Sequence, residues 1–519
     1  MIAVATAAAY APITANGFAG FDDEIYVIQN PDVLAGLRAD GVRHAFSLQH
    51  SDDTYWHPLA WLSLMLDAEL FGPSPLAFHL MSVALHLASA LVLLATLRLA
   101  TGVLLPSAVA SLLFAVHPLQ VEAVAWAAER KTVLACLLGF LALLSYVRYA
   151  QRPSLGRYLP AVLLAALSLM AKPLWITLPA VLLLLDGWPL DRLGLLGTGA
   201  PVCPRATPLR LLLEKLPFVA LSAGSLALSL ASAVPRDAPL ALRLANALAV
   251  YPKYVGRLLL PIDLAVFYPY PTAVPAWKAL LGALFLAAST AFAISGWRRR
   301  PAVAFGWFWF AGTLVPGLGL TQTGLWPEMA DRFMYVPAVG LFVATSFGLA
   351  GLVPRLRAPA PILAAGVAGA VALALVLATR HQLGYWRNAV TLFTRAIDVS
   401  PDNPVMQYDL GSNLGQAGDL DGAERALRAA LPAHPDPSKV LNQLGNVHLL
   451  RGDLDVALAE YRGAAAADPR NAEALYNLGL CASRLGRVAE TEAAWRSFLA
   501  IAPPRLEPQR REIASRLAR

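Results

Sequence analysis

The chain has 519 residues, of which 57% are hydrophobic and only 14% charged, and 41 Lys and Arg against 34 Asp and Glu give a formal net charge of +7. Soluble globular domains carry roughly 25% charged residues, so this composition excludes a chain that is soluble throughout. The positive excess is typical of cytoplasmic loops in membrane proteins, and no basic run with interleaved aromatic residues suggests a nucleic-acid partner. The three cysteines, Cys136, Cys203 and Cys481, have neither metal-ligand spacing nor a disulfide pattern.

Long apolar stretches dominate residues 1–379, and charge becomes dense again from about Arg380 onward. A helix needs roughly 20 apolar residues to cross a bilayer, so we predict an all-α membrane domain of about eleven spans. Residues 1–19 lack a basic start and a cleavage site, which favours a short first span over a signal peptide. The spans are placed at 1–19, 76–97, 103–117, 132–149, 158–171, 173–190, 216–234, 276–296, 302–320, 333–352 and 359–379. Residues 158–190 form either a hairpin around Lys172-Pro173 or one broken helix.

Basic clusters at the ends of these stretches predict the membrane topology. With the N-terminus in the cytoplasm, the cytoplasmic loops hold Arg98, Arg148, Arg152, Arg157, Arg192, Arg205, Arg210, Lys215, Arg298, Arg299, Arg300, Arg355 and Arg357. The outer face then receives residues 20–75, 118–131, 235–275 and 321–332. An odd number of spans also places the C-terminal region on the outer face.

The C-terminal region repeats every 34 residues, which is the period of tetratricopeptide repeats (TPRs). The repeating positions are Pro401, Pro435, Pro469 and Pro503, the Leu-Gly pairs at 410–411, 444–445 and 478–479, and Gly418, Gly452 and Gly486. We predict a connecting partial repeat at 380–402, three full repeats at 403–504 and a capping helix at 505–519, since solenoids need polar ends.

The predicted first outer loop begins with three consecutive carboxylates, Asp22, Asp23 and Glu24. Like charges beside an apolar boundary raise the pKa of at least one of them. One interpretation is a solvated charged stop after the first span. The other is a general base with a neighbour that positions it or binds a cation.

His117 ends the predicted span before the second outer loop, and that loop contains Glu122, Glu129, Arg130 and Lys131. The two glutamates lie seven residues apart and share one face of a helix, while the two cations suit a phosphate. The competing interpretation is a set of internal ion pairs.

Further charged residues stand at other predicted membrane boundaries. Asp331 and Arg332 precede a span, and a guanidinium suits the phosphate of a lipid carrier because it can bond two oxygens at once. A local Asp–Arg pair is the alternative. Lys172 stands between two apolar stretches, where an ammonium group is costly and usually functional or paired. His79 and His86 lie two helical turns apart and favour hydrogen bonding within the bundle over metal binding.

Motifs for several other enzyme classes are absent from the sequence. It contains no Walker A loop, nucleophile elbow, dinucleotide-binding fingerprint or HExxH motif. A nucleotide-driven enzyme, a serine hydrolase and a zinc protease are therefore disfavoured.

Seven stretches, in order, resemble one family. They are GFAGFDDEIYVIQNPDV (17–33), WHPLAWLSLMLDAELFG (56–72), HPLQVEAVAWAAERK (117–131), MAKPLWITLPAVLLLLDGWPL (170–190), EKLPFVALSA (214–223), LLLPIDLAVFYPYP (258–271) and GTLVPGLGLTQTGLWPEMADRFMYVPAVGLF (312–342). With the C-terminal repeats, they resemble bacterial relatives of the transmembrane and TPR-containing O-mannosyltransferases, which are GT-C-class membrane glycosyltransferases.

The resemblance implies an inverting transfer from a polyprenyl-phosphate sugar to an acceptor hydroxyl, with a carboxylate of the first outer loop as base. The matching pair is Asp22-Asp23, and we expect Asp23 to be the base and Asp22 its partner. Arg332 is the first residue expected to meet the lipid phosphate, with Asp331, Arg130, Lys131 and Lys172 around it. The remaining site candidates are Glu24, His57, His117, Glu122, Glu129 and Tyr268.

The sequence departs from the family at Gln120 and Leu64, where histidines are expected. These changes leave donor identity and the use of a divalent cation open, and no resident cofactor is firmly implied. We expect a multi-pass protein of the bacterial inner membrane whose TPR groove binds a protein or glycan acceptor. Two alternatives stay open: a non-enzymatic TPR scaffold anchored in the membrane, and a ligase or polymerase of surface glycan.

Overall fold

A computed structural model describes residues 1–48, 56–196, 203–231, 238–320, 326–351, 360–503 and 506–518. All regular elements in these ranges are helices, which confirms the predicted all-α class. The chain divides into two compact units, residues 1–388 and 389–519.

Six helices in the first unit are long and apolar enough to cross a membrane: Pro75–Thr101, Ala127–Gln151, Pro208–Ala231, Ala276–Gly296, Pro301–Leu318 and Ala365–Tyr385. A bent pair, Leu104–Val116 and Pro118–Ala125, meets at 54° and can count as a seventh span. Four shorter apolar helices are Ile2–Ala15, Leu155–Ala171, Leu178–Gly187 and Pro337–Ala350. Every predicted span therefore matches an apolar helix, but the count of eleven is reached only if the short ones also cross.

The predicted break at Lys172 is a break between two separate helices. The first helix ends at Ala171, and a 3₁₀ turn at Pro173–Trp175 precedes the helix Leu178–Gly187. Proline lacks an amide hydrogen and disfavours helical geometry in the residue before it, so Pro173 leaves Lys172 extended. Lys172 has φ −164° and ψ 140°.

The predicted outer loops also contain helices. These are Glu24–Ile28 (a π turn), Pro31–Leu34, Ala39–Phe46, Pro58–Phe71, the short turns Pro118–Gln120, Val121–Ala125 and Ala127–Glu129, then Leu240–Leu259 and Asp331–Met334. Residues 49–55, 235–237 and 321–325 of these loops, and Arg355 and Arg357 of the topology argument, lie outside the described residues.

Small residues bring two membrane helices into close contact. A Cβ on Gly306 would lie 2.2 Å from the Gly340 carbonyl oxygen, and one on Gly340 would lie 2.4 Å from the Gly306 oxygen. Lipid supplies little hydrophobic driving force between helices, so backbone proximity of this kind is a main source of packing energy there. This close approach holds the helix Pro301–Leu318, which precedes Arg332, against the helix Pro337–Ala350, which follows it.

Two of the basic residues used in the topology argument are buried in ion pairs. Arg192 contacts Asp186 at 3.2 Å and Glu214 at 2.7 Å, and Lys215 also bonds Asp186. The Tyr146 hydroxyl donates to Asp186 at 2.8 Å. The positive charge of this region is thus largely neutralised, and the topology prediction depends more on exposed arginines such as Arg152, Arg157 and Arg298–Arg300.

The second unit is a row of antiparallel helix pairs. Its helices are Ala389–Val399, Pro404–Gln416, Leu420–Ala430, Pro437–Arg451, Leu454–Ala467, Ala472–Arg484, Val488–Ile501 and Glu507–Leu517. Each predicted full repeat contains one pair, and the repeating Gly418, Gly452 and Gly486 end first helices at φ of 89°, 90° and 69°. Glycine adopts this left-handed backbone without steric cost, which explains its period in the sequence.

Candidate functional site

The Asp22-Asp23 pair follows a turn in an unusual backbone conformation. Gly20 has φ 71°, and Phe21, which carries a side chain, has φ 56°. A bulky residue in the left-handed region costs of order 1–3 kcal/mol and persists only where surrounding structure enforces it. The Phe21 ring packs 5.6 Å from Trp126, measured between ring centroids, so the second outer segment helps to hold the turn.

Asp23 is fully buried, and both of its oxygens accept backbone hydrogen bonds. One oxygen accepts from Ala19 at 2.9 Å and the other from Ala128 at 2.8 Å. Burial raises the pKa of Asp23 from 3.8 to about 7, although the two amide donors favour the charged form. With both oxygens occupied and no exposed surface, Asp23 is poorly placed to meet an acceptor hydroxyl.

Asp22 is the more accessible carboxylate, with a side chain 38% exposed. One of its oxygens lies 3.8 Å from the ammonium nitrogen of Lys131. That nitrogen also stands 4.1 Å from the ring centroid of Tyr26, which stacks on Trp61. The geometry therefore favours Asp22 as the base and Asp23 as the residue that positions it, the reverse of the sequence-based expectation.

Glu129 is the buried centre of a cluster of cations. Its oxygens lie 2.8 Å from Lys172 Nζ, 3.7 Å from Lys131 Nζ and 3.6 Å from Arg332 Nε. Thr132 donates to the same carboxylate and accepts from Lys172 at 2.8 Å. Three cations thus surround Glu129, and because Lys131 also pairs with Asp22 and Arg332 with Glu122, their charges balance those of three carboxylates. An anion would meet the faces of the cations that these carboxylates leave open.

Lys172 is the cation whose charge depends on pH near neutrality. Burial lowers its pKa to about 8, with Glu129 acting in the opposite direction. Its side chain is 18% exposed, and that of Arg332 is 15% exposed, so both keep a face toward the outside of the cluster. An incoming anionic group can therefore reach them.

Arg332 is held by Glu122 from the second outer segment. The Arg332 guanidinium bonds one oxygen of Glu122, and its backbone N–H donates to the other oxygen at 2.8 Å. The guanidinium carbon also lies 5.4 Å from the Trp126 ring centroid, within range of a cation–π interaction. Glu122 and Trp126 thus fix the guanidinium beside Glu129.

Asp331 does not pair with its neighbour Arg332, contrary to the local-pair alternative. It is buried, and the Tyr268 hydroxyl lies 3.2 Å from both of its oxygens. Burial, with a smaller effect of Glu122, raises the pKa of Asp331 well above its usual range. Asp331 and Tyr268 therefore anchor the turn that presents Arg332, and neither contacts the cation cluster directly in the described contacts.

Arg130 stands apart from the cluster despite its position between Glu129 and Lys131. It is fully buried, pairs with Asp67 at 2.7 Å and donates to Ser63, Ser82 and the Phe78 carbonyl oxygen. A guanidinium engaged on this many sides is a structural link between helices. The sequence-based expectation that it meets the lipid phosphate is not supported by this placement.

Both histidine candidates, His57 and His117, are buried within the fold. His117 contacts the Leu258 carbonyl oxygen at 2.9 Å and accepts from the Leu119 N–H. His57 is buried at the start of the helix Pro58–Phe71. Glu24 begins the π turn after Asp23 and is half-buried. None of the three has a described contact with the cluster around Glu129.

Metal binding has no described geometry to support it. Within the described ranges, no group of three or more His, Cys, Asp and Glu side chains is arranged to hold a metal ion. His86 instead contacts the Tyr335 hydroxyl at 2.7 Å and the Ala115 carbonyl oxygen at 3.1 Å, and His79 contacts the Gly17 carbonyl oxygen at 3.0 Å. These contacts match the hydrogen-bonding interpretation of the two histidines.

Three residues of the site were not singled out from the sequence: Thr132, Tyr26 and Trp126. Tyr26 and Trp126 lie inside the stretches that carry the family resemblance, and Thr132 immediately follows Lys131. Their position next to charged motifs was the feature of the sequence that could have indicated these aromatic and hydroxyl side chains. Only the folded chain brings residues 26, 126 and 172 together.

The fold and site define a helical, multi-pass membrane protein with a C-terminal TPR solenoid. The tetratricopeptide-repeat family matches residues 382–438, 408–469 and 442–505. The chain is similar to the protein O-mannosyl-transferase TMTC1 of Homo sapiens, with 31% identity over 205 residues, covering 36% of this chain and 23% of that protein. It is 24% identical to Homo sapiens TMTC4 over 474 residues, covering 78% of this chain and 62% of that protein.

Mus musculus TMTC3 is 24% identical over 461 residues, covering 80% of this chain and 49% of that protein. The alignments thus span less than two thirds of each of these relatives. The resemblance to transmembrane and TPR-containing O-mannosyltransferases, stated from the sequence, is confirmed by these similarities.

Proposed function

We propose that this protein is a membrane glycosyltransferase that moves a sugar, with mannose the first choice, from a polyprenyl-phosphate donor to an acceptor hydroxyl. The observation that carries the proposal is the cluster of Lys131, Lys172 and Arg332 beside the exposed carboxylate of Asp22. A general base next to an anion-binding group is the pair of functions that such a transfer requires.

The proposed reaction is a single displacement. Asp22 accepts the proton of the acceptor hydroxyl as that oxygen bonds the anomeric carbon from the face opposite the phosphate. The bond from the anomeric carbon to the phosphate oxygen breaks, its electron pair leaves with the lipid phosphate, and the configuration inverts. Lys172 and Arg332 meet the charge that develops on the phosphate, and Asp23 holds the backbone on which Asp22 stands.

The TPR unit is proposed to bind the acceptor. TPR solenoids offer an extended concave surface that suits a peptide or a glycan chain. Successive first helices bring amide side chains together, with Asn477 donating to Asn442 at 3.0 Å and to Asn446 at 3.2 Å. The proposed outer-face location of this unit follows from the loop charges and stays a prediction, as does the bacterial inner membrane.

A transfer assay in membranes with a polyprenyl-phosphate sugar tests the proposal. Asp22→Asn should lower the transfer rate about 10²–10⁴-fold, the usual contribution of a general base. Glu24→Gln is the matched control, because Glu24 is a neighbouring carboxylate outside the cluster, and it should transfer at the wild-type rate. Normal transfer by Asp22→Asn would remove Asp22 from the mechanism, and transfer by neither wild type nor control would favour the scaffold.

A surface-glycan ligase or polymerase is the second candidate, since it would use the same kind of lipid-linked donor. The cluster itself supports both functions equally, because it handles the donor. Offering protein and glycan acceptors in the same assay separates them: incorporation into peptide hydroxyls supports protein O-glycosylation, and incorporation into glycan alone supports the ligase or polymerase.

A further inference from the structure

The described part of the membrane unit has two adjoining cavities away from the Glu129 cluster. The first, of about 190 Å³, is lined by Ser295, Gly296, Arg299 and Arg300 together with apolar residues. The second, of about 360 Å³, is lined mainly by apolar side chains, among them Trp307. Phe292, Ala293 and Val303 line both, so the two form one continuous groove with a basic end and an apolar end.

The groove and the candidate active site lie at opposite ends of one membrane helix. Arg299 and Arg300 directly precede the helix Pro301–Leu318. At its other end Gly317 lies against Phe333, the neighbour of Arg332, because a Cβ on Gly317 would stand 3.1 Å from Phe333. A helix of 18 residues is about 27 Å long, which is close to the thickness of the hydrocarbon core. The groove is therefore a separate site near the other membrane surface.

The basic end of the groove is free to meet an anion. Arg299 and Arg300 are exposed, and neither forms an ion pair with an acidic side chain in the part of the chain that the structure describes. The guanidinium carbon of Arg300 lies 5.9 Å from the Phe292 ring centroid, so its charge stands directly beside the entrance to the apolar part. The two arginines can together hydrogen-bond a phosphate, while the Ser295 hydroxyl beside them already donates to the Phe292 carbonyl oxygen at 3.0 Å.

The apolar end has the properties of a surface that faces lipid. The helix Ala276–Gly296 is mostly exposed, since only 11% of its most apolar 18-residue stretch is buried. Its Phe285 packs on Trp307, and its Thr290 accepts a hydrogen bond from the Trp307 indole at 3.0 Å, so the groove has a fixed wall. An acyl chain can lie along this wall while its headgroup reaches the arginines.

We propose that this groove binds one anionic phospholipid of the membrane, with its phosphate on Arg299 and Arg300 and an acyl chain against Phe292 and Trp307. Basic pockets between membrane helices at the cytoplasmic surface are suited to anionic headgroups. The lipid would join the helices Ala276–Gly296 and Pro301–Leu318, which otherwise meet through few polar contacts. This site does not depend on the proposed transferase function.

The test measures lipid retention and stability of the full-length protein in detergent. Phosphatidylglycerol should remain bound in native mass spectrometry and raise the unfolding temperature, while phosphatidylcholine should do neither. The double variant Arg299→Ala/Arg300→Ala should lose the bound lipid and the temperature shift. Arg298→Ala, which removes the adjacent charge without touching the groove, should keep both.

A second variant tests whether lipid is lost because the groove is filled and not only because charge is removed. Ser295→Trp keeps both arginines and fills the groove at its basic end, so it should also lose the bound phosphatidylglycerol. The proposal is overturned if the double variant retains the lipid, if Arg298→Ala loses as much, or if phosphatidylcholine binds equally. Displacement of phosphatidylglycerol by polyprenyl phosphate at equal concentration would instead make the groove a donor-lipid site and would also overturn it.

Discussion

The carboxylate of Asp23 accepts a 2.8 Å hydrogen bond from the backbone N–H of Ala128, a residue 105 positions further along the chain. Its other oxygen accepts from Ala19, so one buried side chain joins the segment that follows the first helix to the start of the helix that carries Lys131. Asp22 directly precedes Asp23 in the chain, and its position relative to Lys131 therefore depends on this link. In the proposed mechanism Asp23 therefore positions Asp22 and does not itself contact the substrate.

The buried state of Asp23 predicts a dependence of stability on pH. The folded state raises its pKa from 3.8 to about 7, so between these values the folded protein keeps a proton that the unfolded chain has lost. The contribution of Asp23 to stability is therefore complete below about pH 4 and declines as the pH rises through about 7. The free energy of unfolding of the wild type, relative to Asp23→Asn, should fall over this window and stay level above it.

Chemical unfolding in detergent micelles across pH 4 to 9 would measure this difference. Asp23→Asn is the suitable reference because its amide has nearly the same shape and carries no charge at any of these pH values. A difference that does not change with pH would show that Asp23 keeps an ordinary pKa, which would contradict its burial as a neutral acid.

The lowered pKa of Lys172 predicts how activity declines at alkaline pH. Because burial lowers its pKa to about 8, the ammonium loses its proton above that pH and would no longer attract the phosphate of the proposed lipid donor. The kcat/KM for the donor, which reports the free enzyme, should fall about tenfold for each pH unit above 8. Lys172→Arg keeps its charge throughout and should have a flat profile in this range. Identical profiles for the two proteins would exclude Lys172 as the titrating group.

The ion pair between Arg332 and Glu122 predicts that stability and activity can be separated. Arg332→Ala leaves the buried Glu122 without its partner, and removing one member of a buried pair costs about 3–5 kcal/mol. Adding Glu122→Gln should recover most of this loss, because the uncompensated charge is gone, but it should not recover transfer. Unfolding temperatures and transfer rates of the two single variants and the double variant measure this directly.

A double variant as unstable as Arg332→Ala would contradict the ion-pair argument. A double variant with restored transfer would remove Arg332 from phosphate binding. Either result can be obtained from the same set of three proteins, so no further variant is needed.

The sequence was sufficient to predict the fold class and the order of the helices. Apolar stretches mark every membrane helix, and the 34-residue period marks the solenoid, because both signals are local and depend on one face or one turn at a time. Helix length was less predictable, since Leu178–Gly187 is only 10 residues long although the apolar stretch around it is longer. The turn Pro173–Trp175 delays the start of this helix, and Trp188-Pro189 follows its last residue.

The sequence was sufficient to pick out individual residues of the candidate site but not the contacts between them. Charged residues at membrane boundaries identified Asp22, Glu129, Lys172 and Arg332, but adjacency in the sequence suggested the wrong partners. Arg130 follows Glu129 directly and yet faces Asp67, because successive residues at the start of a helix point in different directions. Long-range pairs such as Arg332 with Glu122 depend on how helices pack, which a single sequence does not reveal.

The glycines at the helix contacts of the solenoid predict where it is sensitive to mutation. A Cβ on Gly479 would lie 2.2 Å from the indole of Trp495, which is buried against Phe498 and Ile513 and has little room to move. Gly479→Ala should therefore destabilise the last repeat by about 1–3 kcal/mol, the usual cost of overpacking a core. Hydrogen exchange in the full-length protein should be faster across the helices Ala472–Arg484 and Val488–Ile501.

Gly463→Ala is the matched control, because its nearest contact, Leu441 Cδ1, would lie at an ordinary 3.4 Å and the position is inside a helix. Alanine there should stabilise the helix Leu454–Ala467 by about 0.5–1 kcal/mol, so exchange should be slower than in the wild type. Unchanged exchange in Gly479→Ala would mean that Trp495 moves aside at no cost. The close approach of the two helices would then not be the reason for glycine at this position.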